Sequence, residues 1–292
     1  MYKQLNRICY NLLLICLAGV LLSCNGNNEE TIAEYNPEYV FDITYEWGKG
    51  TIGFEDFSTN KVCIAVIDSA NYYDNPNVTN YSVFNLEQYD TDFHGSFVVA
   101  TLSYLLPKAN ILSINVADSN GNITPESLAD GIKYATENEC DVINISLGTT
   151  EHYNVIEDAV DEAIGKDCII VAAAGNQSLS ELDYPAKYPN VISVMSRNID
   201  NIDDATNNIS TTKRSFSAPG SIVFNNNYIF SGSSVSSIYV TAEIAYIIEK
   251  HSDITYDAIH DILVKSSVFE TDYSYGMINH KRIMDSCDAE VN

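Results

Sequence analysis

The chain has 292 residues, 46% of them hydrophobic, enough to bury the core of one large domain and too many for a disordered chain. Its 40 acidic and 15 basic side chains leave a net charge of −25. That excess repels phosphate and so argues against nucleic acid or anionic headgroups as partners; its plainest role is to keep the surface soluble.

Residues 1–23 read as a targeting segment. Lys3 and Arg7 make a basic start, and residues 11–22 (NLLLICLAGVLL) an apolar core, shorter than the roughly 20 residues a membrane-spanning helix needs. The run ends Leu21-Leu22-Ser23-Cys24, which resembles a bacterial lipobox, where cleavage precedes a cysteine that receives lipid. The expectation is a lipoprotein-type signal peptide over 1–23 and lipidation at Cys24. The product would be an exported lipoprotein, anchored by its N-terminal lipid to a membrane of a bacterial cell envelope. An ordinary signal peptide with an incidental cysteine is the alternative. Residues 24–58 read as a polar tether and an N-terminal arm of no clear period, and 59–292 as a single folded domain.

Apolar runs and helical stretches alternate from Lys61 onward. VCIAVID (62–68) reads as a buried strand closed by an acid, 94–105 as a helix and ILSINVA (111–117) as a strand. A helix over 125–138 has Thr124 as N-cap before Pro125. DVINISLG (141–148) is a strand, and 153–165 a helix with Val155, Ile156, Ala159, Val160, Ala163 and Ile164 on one face. CIIVAAAGN (168–176) and VISVMS (191–196) follow, then short strands around 215–231 and helices near 234–251 and 255–265. Near-continuous apolar strands alternating with helices specify an α/β fold, with a mainly parallel central sheet covered on both faces. Active residues of such sheets gather at the carboxyl ends of the strands, where Asp68 and Asn176 fall.

Of the cysteines outside the targeting segment, Cys63, Cys140 and Cys168 lie in or beside apolar runs, as buried thiols do. Neither a Cys-x-x-Cys pair nor a nearby His pair points to metal. An exported protein permits disulfides, but these spacings demand none.

Three blocks carry chemistry: IAVIDSA with Asp68, DFHGSFVVATL with His94 at a helix start, and FSGSSVSSIYV with Ser234 at a turn into a helix. A neutral serine hydroxyl is a poor nucleophile, so it needs a histidine to take its proton and an acid to orient and stabilise that histidine. The order Asp, His, Ser is that of subtilisin-type triads. On these blocks the sequence resembles the subtilisin-like serine peptidases, from about Lys61 to Lys281. The resemblance implies a subtilisin-like fold and hydrolysis of peptide bonds in a peptide or protein substrate through an acyl-enzyme. By the same resemblance Asp68, His94 and Ser234 are catalytic and Asn176 donates to the oxyanion. Ser146, Leu147 and Gly148 then line the cleft, with Ala173, Gly175 and Asp183 at the pocket for the residue before the scissile bond.

The match has departures. Ala70 stands where the family usually has Gly, Phe97 where it has His, Ser233 where it has Thr, and Ile238 where it has Pro. The family's calcium loop normally interrupts the helix after the His block, but VVATLSYLLPKANILSINV runs through; neither metal nor cofactor is expected. Asp183 replaces a frequent Gly at the pocket base, which favours Arg or Lys before the cut. Alternatively Asp183 turns outward as a loop acid, or Glu181 takes its place. Two rival functions remain open: a narrow leader-peptide processing peptidase, and a catalytically weak pseudo-peptidase that binds peptides.

Overall fold

The computed structural model describes residues 41–290, apart from 42, 56, 58, 85–92, 211, 214, 225–227 and 269–274. The targeting segment and Cys24 lie outside the described residues, which belong to a unit spanning Val40–Asn292.

Two short elements come first, β1 (Ile43–Glu46) and α1 (Gly48–Ile52). Runs of four and five residues are too short to show a period, and the sequence places them in the irregular arm. Ile52 and Phe54 are nonetheless buried in the core, so these residues pack with the domain. Then come β2 (Cys63–Asp68), β3 (Val78–Ser82), α2 (His94–Leu105), β4 (Asn110–Asn115), α3 (Pro125–Glu137), β5 (Val142–Ile145), α4 (Asn154–Ile164) and β6 (Ile169–Ala173). The second half holds β7 (Ile192–Arg197), β8 (Ser215–Pro219), β9 (Ser221–Phe224), β10 (Tyr228–Ser231), α5 (Ser233–Lys250), α6 (Tyr256–Ser266), β11 (Tyr275–Met277) and α7 (His280–Glu290).

Among the described residues, eight strands form one sheet in the order β11-β8-β7-β6-β5-β2-β4-β3, with every neighbouring pair parallel. A smaller antiparallel sheet joins β1, β9 and β10. Strand side chains alternate between faces. Ile64 and Val66 of β2 join a core with Val99 and Leu102 of α2 and Val235 and Ile238 of α5. Ala65 and Ile67 face the other side, with Leu128 and Ile132 of α3 and Ile156 and Val160 of α4. Each such Val, Leu or Ile side chain contributes about 1.5–3 kcal/mol when fully buried. The fold is therefore the α/β class expected, with helices on both faces. Thr124 caps α3 as read from sequence: its side chain accepts from the Ser127 N–H while the Ser127 hydroxyl accepts from the Thr124 N–H.

The chain enters the large sheet at β2, adds β4 on one side, then crosses over to add β5 on the other. Such a reversal of winding opens a crevice at the carboxyl ends of the strands involved. Asp68 ends β2, Ser146 follows β5, and Ala174–Asn176 follow β6.

Candidate active site

Asp68 is buried, with one carboxylate oxygen accepting from the Ser69 N–H at 2.7 Å and lying 2.8 Å from His94 Nδ1. His94 is the first residue of α2. The next residue lets that helix start press on the end of β2: the Gly95 N–H donates to Ser69 Oγ at 2.9 Å, and a Cβ on Gly95 would lie 2.2 Å from the Ser69 carbonyl oxygen. The other imidazole nitrogen, Nε2, is 3.2 Å from Ser234 Oγ. Phe230 packs edge-on against the imidazole with ring centroids 5.2 Å apart, and itself lies against Phe97. Phe97 thus sits in an aromatic cluster with Phe41, Phe224, Tyr228 and Phe230 that supports the histidine from behind.

Ser234 is the second residue of α5 and largely buried. Its hydroxyl has one proton and two acceptors within reach, His94 Nε2 at 3.2 Å and the Ser146 carbonyl oxygen at 3.1 Å. The backbone N–H groups of a first helical turn have no intrahelical acceptor and favour negative charge nearby. Asn176 Oδ1 accepts from the Ser233 N–H at 3.0 Å, which ties Asn176 to the start of α5 and leaves its amide NH2 free of that bond as a donor. Asp68, His94, Ser234 and Asn176, far apart in sequence, therefore converge.

Behind Ser234 runs a buried polar network that sequence reasoning missed. Ser237 Oγ donates to the Ser234 carbonyl oxygen at 2.8 Å and lies 3.1 Å from Ser146 Oγ, which accepts from Asn144. Thr241 Oγ1 donates to the Asn144 side-chain oxygen at 3.0 Å. The signal was present: Asn144 is a polar residue inside an apolar strand, and Ser234, Ser237 and Thr241 recur at helical spacing.

The residues read as pocket walls lie at the carboxyl ends of β5 and β6 and in the segment after β6. Ser146, Leu147 and Gly148 leave β5, Ala173 ends β6, and Thr149 and Tyr184 exchange backbone hydrogen bonds at 2.9 and 2.7 Å. Asp183 turns inward. Its N–H donates to the Ala174 carbonyl oxygen at 3.0 Å, and its carboxylate accepts from the side-chain amide of buried Asn208 at 3.1 Å. Asn208 is held in turn, accepting from the backbone N–H of Gln177 and Leu179. Burial raises the Asp183 carboxyl above its ordinary range, and the hydrogen bonds from Gln177 and Asn208 pull it partly back. Gly175, at φ +100°, makes room: a Cβ there would come within 2.4 Å of the Asp183 carboxylate. Glu181 is exposed and pairs with Lys187, so the inward acid is Asp183. Lys213, which no sequence pattern marked, donates its ammonium group to the carbonyl oxygens of Ala186, Tyr188 and Val191 and ties down the segment after Asp183.

The departures do not break the constellation. Ile238 and Ala70 are buried core residues, and the Asp68–His94–Ser234 contacts form with both in place. Helix α2 runs from His94 to Leu105 without interruption. Among the described residues no three His, Cys, Asp or Glu side chains converge as a metal site requires.

Comparison with known proteins agrees with this geometry. The model of the subtilase family, Peptidase S8, matches residues 59–282. The thermophilic serine proteinase of Bacillus sp. (strain AK1) is 30% identical over 272 residues, covering 84% of this chain and 65% of that protein, so the chain spans less than two thirds of this relative's length. Subtilisin DY of Bacillus licheniformis is 30% identical over 248 residues, covering 75% of this chain and 89% of the relative. Among solved structures, a serine-to-alanine mutant of the protease domain of PatA superposes with a TM-score of 0.69 at 18% identity, covering 79% of this chain and 96% of that one. The prenylagaramide maturation protease PagA superposes with a TM-score of 0.67 at 20% identity, covering 78% and 94%. These two share the fold. The chain belongs to the subtilase family.

Proposed function

We propose that this subtilase is a serine endopeptidase that cuts extended peptide segments, prefers Arg or Lys before the scissile bond, and works from a lipid anchor at Cys24. The observation that carries the hydrolytic reading is one imidazole within hydrogen-bonding reach of both a buried carboxylate and a helix-start hydroxyl, at 2.8 and 3.2 Å. Ser234 Oγ attacks the scissile carbonyl carbon as its proton passes to His94 Nε2. Asp68 holds the other nitrogen protonated and stabilises the imidazolium. The oxyanion lies between the Asn176 amide and the Ser234 N–H; a side-chain donor of the Asn176 kind is worth about 3 kcal/mol in this class of enzyme. Collapse of the tetrahedral species gives the acyl-enzyme and an amine that takes the proton from His94. Water, deprotonated by the same imidazole, then frees Ser234 and the new carboxylate.

The preference for a basic residue rests on Asp183, whose buried carboxylate faces the Gly175 wall of the pocket. An Arg or Lys side chain would form a charge-assisted bond there, and an apolar one would leave the charge unpaired. The anchor rests on the sequence of residues 1–24. It predicts recovery of the protein in the membrane fraction and its loss from there in Cys24→Ser; a mature N-terminus other than a modified Cys24 would remove this part of the proposal.

A narrower form of the same activity is maturation of one precursor peptide, a reading supported by the shared fold with the maturation protease PagA. A peptide-binding lipoprotein without catalysis is the reading the converged Asp68, His94, Ser234 and Asn176 weigh against. Hydrolysis of a quenched fluorescent peptide with a central Arg separates them. Wild-type protein cuts after Arg and Ser234→Ala does not; equal inertness of the two would overturn the general endopeptidase reading, and labelling of Ser234 by a fluorophosphonate probe then separates a narrow peptidase, which reacts, from a binding protein, which does not.

A further inference from the structure

We propose that Cys63 and Cys140 form a disulfide-forming site that closes when the protein meets an oxidising compartment. The inference is independent of the catalytic reading. The two Sγ atoms lie 2.7 Å apart, in direct thiol–thiol contact, closer than two unbonded sulfurs pack.

The juxtaposition is built by the sheet. Cys63 is the first residue of β2 and Cys140 lies two residues before β5, and these strands pair in parallel with Ile64 opposite Val142. Between them Asp141 acts as a clamp. Its carboxylate accepts from the Cys63 N–H at 2.7 Å, and its own N–H donates to the Cys63 carbonyl oxygen at 2.9 Å. The backbones on both sides of the sulfur pair are thereby fixed, as a bridge requires.

The access is asymmetric in the sense exchange chemistry needs. Cys63 is partly exposed and Cys140 buried. The hydrogen bond from Cys140 lowers the Cys63 thiol, so Cys63 is the attacking thiolate. It displaces one thiol from an external disulfide, of an oxidoreductase or of oxidised glutathione, and forms a mixed disulfide. Cys140, losing its proton, attacks the Cys63 sulfur of that species and releases the second thiol. Two protein thiols become one disulfide, and one external disulfide becomes two thiols. Cys168 donates its S–H to the Cys140 carbonyl oxygen at 3.0 Å, a backbone acceptor and not a sulfur, which sets it apart from the pair.

The bridge would join positions 77 residues apart, at the ends of β2 and β5 opposite to Asp68 and Ser146. Cross-linking so long a loop constrains the unfolded chain strongly. Oxidation should therefore raise the melting temperature by about 5–10 °C.

The test is non-reducing peptide mapping of the full chain after equilibration with oxidised glutathione, alkylating free thiols before digestion. The expected result is a Cys63–Cys140 linked peptide, with Cys168 and Cys287 alkylated. The link should vanish in Cys63→Ser and Cys140→Ser and persist in Cys168→Ser. Wild-type protein alone decides the matter if a variant fails to fold. Free alkylation of Cys63 in the folded, oxidised protein, or recovery of Cys140 linked to Cys168, would overturn the proposal.

Discussion

The backbone N–H of Gly95 donates to Ser69 Oγ at 2.9 Å, and this contact sets how α2 meets the end of β2. His94 precedes Gly95 and Asp68 precedes Ser69, so the contact also fixes the 2.8 Å approach of imidazole to carboxylate. A methyl group on Gly95 would strike the Ser69 carbonyl oxygen, which is backbone and cannot swing away. Gly95→Ala should therefore move His94 and lower kcat by roughly 100-fold or more, since a displacement of about 1 Å costs that much. Steady-state kinetics beside a thermal melt checks it; unchanged kcat would mean that the helix start has slack.

Asn176→Ala should lower kcat by about 100- to 1000-fold with little change in KM, because the donor serves charge that develops after binding. A loss confined to KM would assign Asn176 to substrate binding instead.

Asp183 should give the substrate preference a pH dependence. Burial raises its carboxyl, so it takes up a proton above the ordinary carboxylate range. Above that pKa the ionised acid favours Arg and Lys; as pH falls through it the charge is lost and the preference fades. The ratio of kcat/KM for Arg to that for Phe should therefore fall on acidification, at a pH higher than a free carboxylate would give. Asp183→Gly should remove the pH dependence and shift preference toward Phe, Tyr or Leu. A wild-type enzyme that prefers Phe or Leu tenfold over Arg, about 1.4 kcal/mol the wrong way, would refute the assignment.

Lys213→Met should leave the carbonyl oxygens of Ala186, Tyr188 and Val191 without their shared donor. The expected loss is about 2–4 kcal/mol of stability, read by urea denaturation. An unchanged midpoint would show that water replaces the ammonium group without cost.

The sheet and the constellation were legible because their signals are local. Strands β2, β5 and β6 are short apolar runs between polar turns, and Asp68 closes one of them. Thr124 and Pro125 announced a helix start by cap chemistry alone. What escaped depends on tertiary contact. β1 and α1 are too short for a period, and Ile52 is buried only because the core receives it. Lys213 reads as an ordinary surface lysine until three carbonyls from another segment surround it. The sequence leaves open whether Asp183 points inward or out into the loop; its inward orientation is set by Asn208, 25 residues away, whose role has no local signature. The approach of Cys63 to Cys140 likewise follows from strand register, which spacing in sequence does not display.

Labelling with a fluorophosphonate probe, followed by mapping of the modified residue, tests the central claim most directly, since the probe reacts with a serine only when a neighbouring base activates it. Wild-type protein should carry the label on Ser234 alone, and both Ser234→Ala and His94→Ala should lose it while keeping a cooperative thermal melt. Label on Ser233 or Ser236, or undiminished labelling in His94→Ala, would contradict the assignment of Ser234 and His94 as nucleophile and base.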